Sequence, residues 1–194
     1  MSKKVQLKDG TSVIIRPMHS DDLSRSWDFF QALAPEDRAY LRHDVTRREV
    51  VEARMKAMKA GGVKRLVAVT GERIVADASL ELENDGWKQH VGELRLIVAT
   101  DYQRKGLGRW MARGLYSIAA EAKVEEIIVR MMRPQMAARS IFRKLGFHEQ
   151  AFLPDYVKDV RGRKQDLILM RCDLQALWQE LEDFVSTLDW QRMR

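Results

Sequence analysis

The chain has 194 residues, 45% of them hydrophobic and 32% charged, a composition typical of one globular domain. No apolar run approaches the roughly 18 residues of a membrane helix. The net charge of +6 comes from basic residues scattered among 28 acidic ones, so we expect neither nucleic acid nor a membrane as a partner.

The cysteine and histidine residues indicate the cellular compartment and whether a metal site is expected. Cys172 is the only cysteine, which excludes an internal disulfide, and the first residues contain no apolar segment of a secretory signal. We therefore expect a cytoplasmic protein. The four histidines have no ligand spacing relative to Cys172 or to each other, so we expect no metal site.

The first part of the chain predicts two strands and two helices. The stretch "VQLKDGTSVIIRP" predicts strands joined by a turn at Asp9-Gly10. Apolar residues at three- and four-residue steps then predict a helix. Thr46 and Glu49 have the spacing of a capping box for a second helix, which Gly61-Gly62 ends.

The rest of the chain alternates strands and helices. "VKRLVAVT" and "RIVADASLELE" predict a hairpin, and "HVGELRLIVAT" predicts the next strand. A helix, the strand "EEIIVRMM" and the helix "PQMAARSIFRKLG" follow, with Pro134 suited to the first turn of that helix. Two late strands flank Arg161-Gly162.

This order predicts an α/β (α+β) fold with a mixed, mostly antiparallel sheet of about seven strands flanked by helices. One parallel crossover is expected within residues 90–132. No linker interrupts residues 1–172, which we interpret as one domain. Residues 173–194 add a C-terminal amphipathic helix, expected at 174–190. Its apolar side packs on the domain or, alternatively, forms a homodimer interface.

The stretch "DYQRKGLGRW" combines basic side chains with two glycines at the start of a predicted helix. A P-loop is excluded because no Gly-Lys pair occurs in the chain, and Met111 stands where a dinucleotide fingerprint needs a third glycine. The amides around Gly106 and Gly108 are placed to bind an anion at the helix N-terminus. An ordinary strand–helix turn with basic decoration is the alternative.

The surrounding sequence resembles the Gcn5-related N-acetyltransferase (GNAT) superfamily. The signature Gln/Arg-x-x-Gly-x-Gly/Ala after an apolar strand is matched by Gln103, Arg104, Gly106 and Gly108. A second signature, an Ala-rich helix ending in Lys-Leu-Gly-Phe, is matched at 144–147.

The resemblance spans roughly residues 65–171 and implies acetyl-coenzyme A (acetyl-CoA) as the acetyl donor, without a metal. It implies that the pyrophosphate lies on the amides of 104–109 and the pantetheine arm along the strand ending at Val98. The cofactor-binding residues that it implies are Leu96, Ile97, Val98, Gln103, Arg104, Lys105, Gly106, Leu107, Gly108, Arg109, Gln135 and Phe142.

Acetyl transfer to an amine needs a base, because an alkyl ammonium with a pKa near 10.4 is protonated at neutral pH. Glu93, ten residues before Gln103, is the candidate. The chain looks closest to the catalytic modules of bacterial protein lysine acetyltransferases, whose spacing is matched by Glu93, Val98, Asp101, Gln103, Gly106 and Gly108. The alternative is a Glu93 paired with Arg95 on the same face of the strand, which would make it a weaker base.

Three positions depart from the family pattern. Phe142 stands where many members have a tyrosine acid, and Gln135 replaces an asparagine that often contacts the cofactor. Arg130 occupies the place of the glutamate base in acetyltransferases that modify ribosomal proteins. Tyr156 is the remaining phenol near the expected acceptor cleft, either a substitute acid or a wall of the cleft.

The sequence thus predicts an acyltransferase that moves acetyl from acetyl-CoA to a primary amine by direct attack in a ternary complex. The acceptor is a protein lysine, a small-molecule amine or an amino acid, and the residues leave that choice open. The alternative is a non-catalytic acetyl-CoA sensor that reports to a partner.

Overall fold

The computed structural model describes residues 2–82 and 86–176. Within them, eight strands form one sheet in the order β1-β2-β3-β4-β5-β6-β8-β7. The strands are β1 (Lys3–Gln6), β2 (Ser12–Pro17), β3 (Val63–Thr70), β4 (Arg73–Leu82), β5 (Val91–Val98), β6 (Glu126–Met132), β7 (His148–Lys158) and β8 (Lys164–Asp173). The helices are α1 (Leu23–Ala32), α2 (Pro35–Arg38), α3 (Arg48–Lys59), α4 (Leu107–Glu121) and α5 (Met136–Arg143).

The sheet is antiparallel except at its centre. β5 and β6 pair in parallel, and α4 is the helix that connects them. All other neighbouring strands pair antiparallel. The mixed, mostly antiparallel class predicted from the sequence is confirmed, with eight strands where about seven were expected. In the described ranges, no helix has the length and apolar character needed to span a bilayer.

Helices cover both faces of the sheet. On the α4 face, Leu94 of β5 belongs to a buried cluster with Leu107, Met111 and Leu115 of α4. On the opposite face, called the α3 face below, a second cluster gathers apolar residues of α1, α3, β3 and β4, among them Phe30. Successive side chains of a strand alternate between faces. The odd-numbered residues of β5 therefore lie on the α3 face and the even-numbered ones on the α4 face.

Two helix starts differ from the prediction. The capping box of Thr46 and Glu49 is wrong: α3 begins at Arg48, its N-cap Arg47 makes no side-chain cap, and the Thr46 hydroxyl donates to Asp44 Oδ1 at 2.5 Å instead. A short Asp–Thr hydrogen bond thus competes with the cap. Pro134 also precedes α5 rather than lying in its first turn.

The C-terminal helix expected at 174–190 lies outside the described residues from residue 177 onward. The boundary between residues 172 and 173, and the choice between packing on the domain and dimerisation, stay predictions.

A buried carboxylate fixes the entry of α1 to the sheet. Asp22, fully buried, accepts hydrogen bonds from Arg16 Nη1 at 2.6 Å and Arg16 Nη2 at 2.7 Å. It also accepts from the His19 amide at 2.9 Å. The hydrogen bonds from Arg16 are the main cause that lowers the pKa of Asp22 to about 2. This bidentate pair ties β2 to the first turn of α1.

Asp22→Asn is expected to lower the free energy of unfolding by about 3 kcal/mol, because it leaves a partly buried guanidinium without its carboxylate. Urea and thermal unfolding measure this, with the exposed neighbour change Asp21→Asn as the control. The folded pKa lies below the usual value, so the wild type keeps this stabilisation above about pH 4 and loses it as the pH falls toward 2. Equal stability of the two variants would contradict this role.

Candidate active site

The glycine motif forms a tight loop that starts α4. Arg104 and Gly106 have positive φ angles of 60° and 91°, and Gly106 is the N-cap of α4. The first helical hydrogen bond runs from the Trp110 amide to the Gly106 carbonyl at 3.3 Å. The amides of the first helical turn have no acceptor within the helix, and they lie at the positive end of its dipole. This arrangement suits a phosphate or pyrophosphate.

Neighbouring segments hold this loop in place. Gln103 Nε2 donates to the Val98 carbonyl at 3.1 Å, which ties the loop to the end of β5. The Lys8 amide donates to the Lys105 carbonyl at 3.1 Å. The Lys105 ammonium pairs with Asp9 at 2.8 Å, and the hydrogen bond from Lys105 lowers the pKa of Asp9 to about 2.

The basic side chains of the loop therefore have different roles. The Lys105 ammonium holds the β1–β2 turn through its ion pair with Asp9, and Asp9 balances its charge. Arg104 and Arg109 are exposed at the mouth of the helix. These two guanidiniums can attract an anion over a longer distance than the amides.

β5 has one open edge beside this loop. Its parallel pairing with β6 covers only residues 91–93 of β5 against 126–128 of β6, whereas its pairing with β4 continues from Gly92 to Val98. The Ala99 amide donates to β4, and the His90 carbonyl accepts from the start of β6. Peptide groups alternate in direction along a strand, so those of Leu96 and Val98 face the opening, while those of Ile97 face β4.

Packing alone does not require glycine at position 108. A Cβ there would lie 3.6 Å from Leu96 Cδ2 and 3.9 Å from Val98 Cγ2, which are ordinary contacts. Gly108 has no positive φ. A ligand can therefore approach the backbone at this position, between α4 and the open edge of β5.

Glu93 lies on the α3 face of β5, nearly buried at 7% exposure. Arg130 of β6 donates to it through Nε at 3.0 Å and through Nη2. Arg42, from the loop between α2 and α3, donates through both Nη atoms. Burial raises the pKa of Glu93, but the hydrogen bonds from Arg130 and Arg42 outweigh burial and hold the pKa below its usual range. The carboxylate is therefore ionised at neutral pH.

Arg95 is not the partner of Glu93. The register of β4 and β5 runs without a bulge from Gly92 to Val98, so Glu93 and Arg95 share a face as expected. Arg95 Nη2, however, donates to Glu81 Oε2 at 2.6 Å. The pairing considered from the sequence is thus replaced by pairing of Glu93 with two other arginines.

The remaining predicted residues lie around this centre. Phe142 is buried on the α4 face, with its ring 5.1 Å from that of Phe147 in an edge-on arrangement. Gln135 Oε1 accepts from the Met132 amide at 2.8 Å and closes the β6–α5 turn. Tyr156 is 67% exposed on β7, where the register with β8 shifts between Leu153 and Val157. Their roles toward a ligand stay predictions.

The arginines that pair with Glu93 are a feature of the candidate site that sequence reasoning missed. Arg130 was noted only as a missing glutamate, although the parallel pairing of Glu93 with Ile128 places it one step further along the same face. Arg42 lies 51 residues from Glu93 on an irregular loop, and no local pattern indicates such a contact.

The single cysteine and the candidate metal ligands were also located. Cys172 is buried in β8, where it pairs with Ile127 of β6. Residues 2–82 and 86–176 contain no cluster of three or more His, Cys, Asp or Glu side chains arranged to hold a metal ion.

β5, the glycine loop and α4 lie within a part of the chain whose sequence matches a known family. Residues 25–147 match the family profile described as the acetyltransferase (GNAT) family. The chain belongs to this family. The resemblance noted from the sequence is therefore confirmed.

One named relative matches part of the chain. The chain is 32% identical over 94 residues to the protein named "Probable N-acetyltransferase 14" from Danio rerio, a match that covers 45% of this chain and 34% of that relative. The chain thus matches about a third of the relative's length.

Solved structures share the fold of this GNAT protein. The GNAT domain of PAT from S. lividans has a TM-score of 0.74 at 16% identity, covering 89% of this chain and 96% of that one. The structure of yncA from Salmonella typhimurium, solved with its cofactor acetyl-CoA, has a TM-score of 0.72 at 19% identity, covering 84% and 95%.

Gly108→Leu separates ligand binding from folding. Since a Cβ fits the protein and leucine favours the helix over glycine by about 0.8 kcal/mol, the variant should be about as stable as the wild type. Its affinity for coenzyme A, measured by calorimetry, should fall tenfold or more, about 1.4 kcal/mol, because the atoms beyond Cβ occupy the ligand's approach. The family signature admits alanine at this position, so a methyl group alone is too small a change. Gly62→Leu, which also has space for a Cβ, is the control. Unchanged affinity in Gly108→Leu would place the ligand elsewhere.

Proposed function

We propose that the chain is an N-acetyltransferase that moves acetyl from acetyl-CoA to a primary amine by direct attack in a ternary complex. The observation that carries the proposal is the position of Glu93. It lies on β5, whose edge toward β6 is open beside the N-terminus of α4. The donor would bind along this edge, and the acceptor would bind on the α3 face of the same strand.

The residues present fit acetyl-CoA. The amides of the first turn of α4 would bind the pyrophosphate, with Arg104 and Arg109 adding charge. The peptide group of Leu96 would pair with the pantetheine arm as a neighbouring strand does, whereas the Val98 carbonyl already accepts from Gln103 Nε2. Acetyl-CoA supplies the acetyl group as a thioester: after the acceptor ammonium has lost one proton, the amine nitrogen bonds to the acetyl carbon, the C–S bond breaks, and amide and thiol result.

The outward amide of Val98 is the proposed donor to the acetyl carbonyl oxygen. From the sequence, the amides near Ile97 and Val98 were both candidates. The alternation along β5 turns the Ile97 amide toward β4 and leaves that of Val98 at the opening. A fixed backbone donor at that place stabilises the negative charge that develops on the oxygen.

Glu93 is the proposed base. An acceptor ammonium can replace Arg130 or Arg42 beside its carboxylate, since all three groups are cations that donate hydrogen bonds. Glu93 then takes one proton from the ammonium, directly or through water, and passes it to solvent. Its lowered pKa makes it a weak base, so positioning the amine is a large part of its role.

The departing thiolate needs little help, since a thiol has a pKa of about 8.5. Phe142 has no proton to give and is buried in the core. Tyr156 is the proposed wall of the acceptor side or, as the second alternative, a substitute acid. The second amine proton is available to the thiolate in either case.

Glu93→Gln should lower kcat for acetylation of a reactive amine by about 100-fold or more, while coenzyme A binding is retained. Arg42 and Arg130 are both partly exposed, so water can solvate them in the variant. Thiol release measures turnover, and calorimetry measures binding. Glu126→Gln, which removes the carboxylate that pairs with Arg171 on the neighbouring strand, is the control. Full turnover in Glu93→Gln would remove Glu93 from the role of base.

Arg130→Gln should move the acidic limb of the pH profile of kcat/KM upward by about one pH unit or more. In the wild type, the lowered pKa keeps Glu93 ionised well below neutral pH. With one guanidinium removed, burial raises the pKa, and Glu93 takes up a proton at a higher pH than in the wild type. Profiles between pH 4 and 9 measure the limb, with Arg171→Gln as the control. If the acidic limbs of the wild type, Arg130→Gln and Arg171→Gln coincide, the role of Glu93 is contradicted.

A non-catalytic acetyl-CoA sensor is the second candidate. It is favoured by one observation, the engagement of Glu93 by two arginines. Tight binding of acetyl-CoA without thiol release for any amine in a broad panel would support the sensor over the enzyme.

A further inference from the structure

A cavity of about 270 Å³ lies between α3 and strands β3 to β5 on the α3 face. Its lining includes Arg95, which is two residues from Glu93 on the same face of β5. Its charged or titratable lining residues are His43, Arg54, Arg65, Glu81 and Arg95, and we call this group the arginine cleft. A cavity of this volume suits a small molecule better than a folded peptide segment.

The strand register places polar groups in one row across the floor of the cleft. Arg65 of β3 lies opposite Ser79 of β4, and Ser79 lies opposite Arg95 of β5. The Nε atoms of both arginines and the Ser79 hydroxyl are buried, without a hydrogen-bond partner in the part of the chain that the structure describes. Asp77, in the adjacent row, has one such oxygen. The cleft thus has more unsatisfied donors than acceptors.

The charges of the cleft are also unbalanced. Arg54 and Arg65 share the single carboxylate of Asp77, at 3.0 and 2.6 Å, and Arg95 pairs with Glu81 at 2.6 Å. Burial, followed by the charges of Arg95 and other arginines, lowers the pKa of His43. His43 is therefore neutral at pH 7, and the field in the cleft is positive. An anion entering it meets donors and positive charge.

Resting on the function proposed above, we infer that the acceptor is a small amine that carries a carboxylate, of the amino-acid class, and that the arginine cleft binds this carboxylate. Glu93 and Arg95 are alternate residues on one face of β5, with Cα atoms about 7 Å apart. One small molecule can therefore place its amine at Glu93 and its carboxylate at Arg95. Glu81 is 28% exposed, so it can turn toward water when the ligand carboxylate takes its place.

Matched pairs of amines test the inference. Glycine, β-alanine, 4-aminobutyrate and 5-aminopentanoate are compared with their decarboxylated counterparts, methylamine to butylamine, by acetyl-CoA-dependent thiol release. An N-acetylated lysine amide peptide represents the protein acceptor. At least one carboxylate should exceed its counterpart about tenfold or more in kcat/KM. Equal or better use of the decarboxylated amines or of the peptide overturns the inference and leaves the acetyltransferase function intact.

Variants connect the preference to the cleft. Arg95→Gln should raise KM for the carboxylate substrate about tenfold or more, with little change for its decarboxylated counterpart, and Arg95→Lys should restore part of the loss. Arg48→Gln, on the exposed side of α3, is the control. Loss of both activities in parallel would mean a structural role for Arg95 and would count against the inference.

If no amine is acetylated, the binding of these amines to the protein tests the inference. Calorimetry of the full chain with saturating coenzyme A is then carried out with the same amines. Binding of a carboxylate but not of its counterpart, abolished in Arg95→Gln, supports the anion-binding cleft although the proposed function has failed. Absence of binding by every carboxylate overturns the inference.

Discussion

The site depends on the parting of β5 from β6. Three residues of each strand are paired, and beyond them β5 keeps its partner β4 on one side and none of β6 on the other. A strand edge without a partner leaves polar peptide groups available for hydrogen bonds. Since α4 begins beside the same edge, one ligand can satisfy the peptide group of Leu96, the amide of Val98 and the amides of the first helical turn.

In the proposed function, the alternation of side chains along β5 lets one strand serve two substrates. Leu94 and Leu96 pack toward α4, while Glu93 and Arg95 point to the α3 face. The proposed cofactor edge and the proposed acceptor face therefore belong to neighbouring residues of the same strand. A displacement of β5 by one residue would exchange the two faces and destroy the site.

Much of the fold, and the position of the glycine loop at the start of α4, could be predicted, because their determinants are local. The glycines at 106 and 108 stand next to the helix that they start, and the strands follow apolar runs of the right length. The acceptor side could not be predicted, because Arg42 and Arg130 reach Glu93 across 51 and 37 residues. The failed capping box at Thr46 has a similar cause: a nearby Asp44 competes for the hydroxyl, and pattern alone does not rank the two partners.

Amide hydrogen exchange along β5 tests the central claim most directly. If the open edge receives the arm of acetyl-CoA, the amides of Leu96 and Val98 should exchange more slowly in its presence, together with those of residues 107–109. The Ile97 amide, which faces β4, should change less. Protection confined to other strands, with unchanged exchange at Leu96 and Val98, would contradict the account.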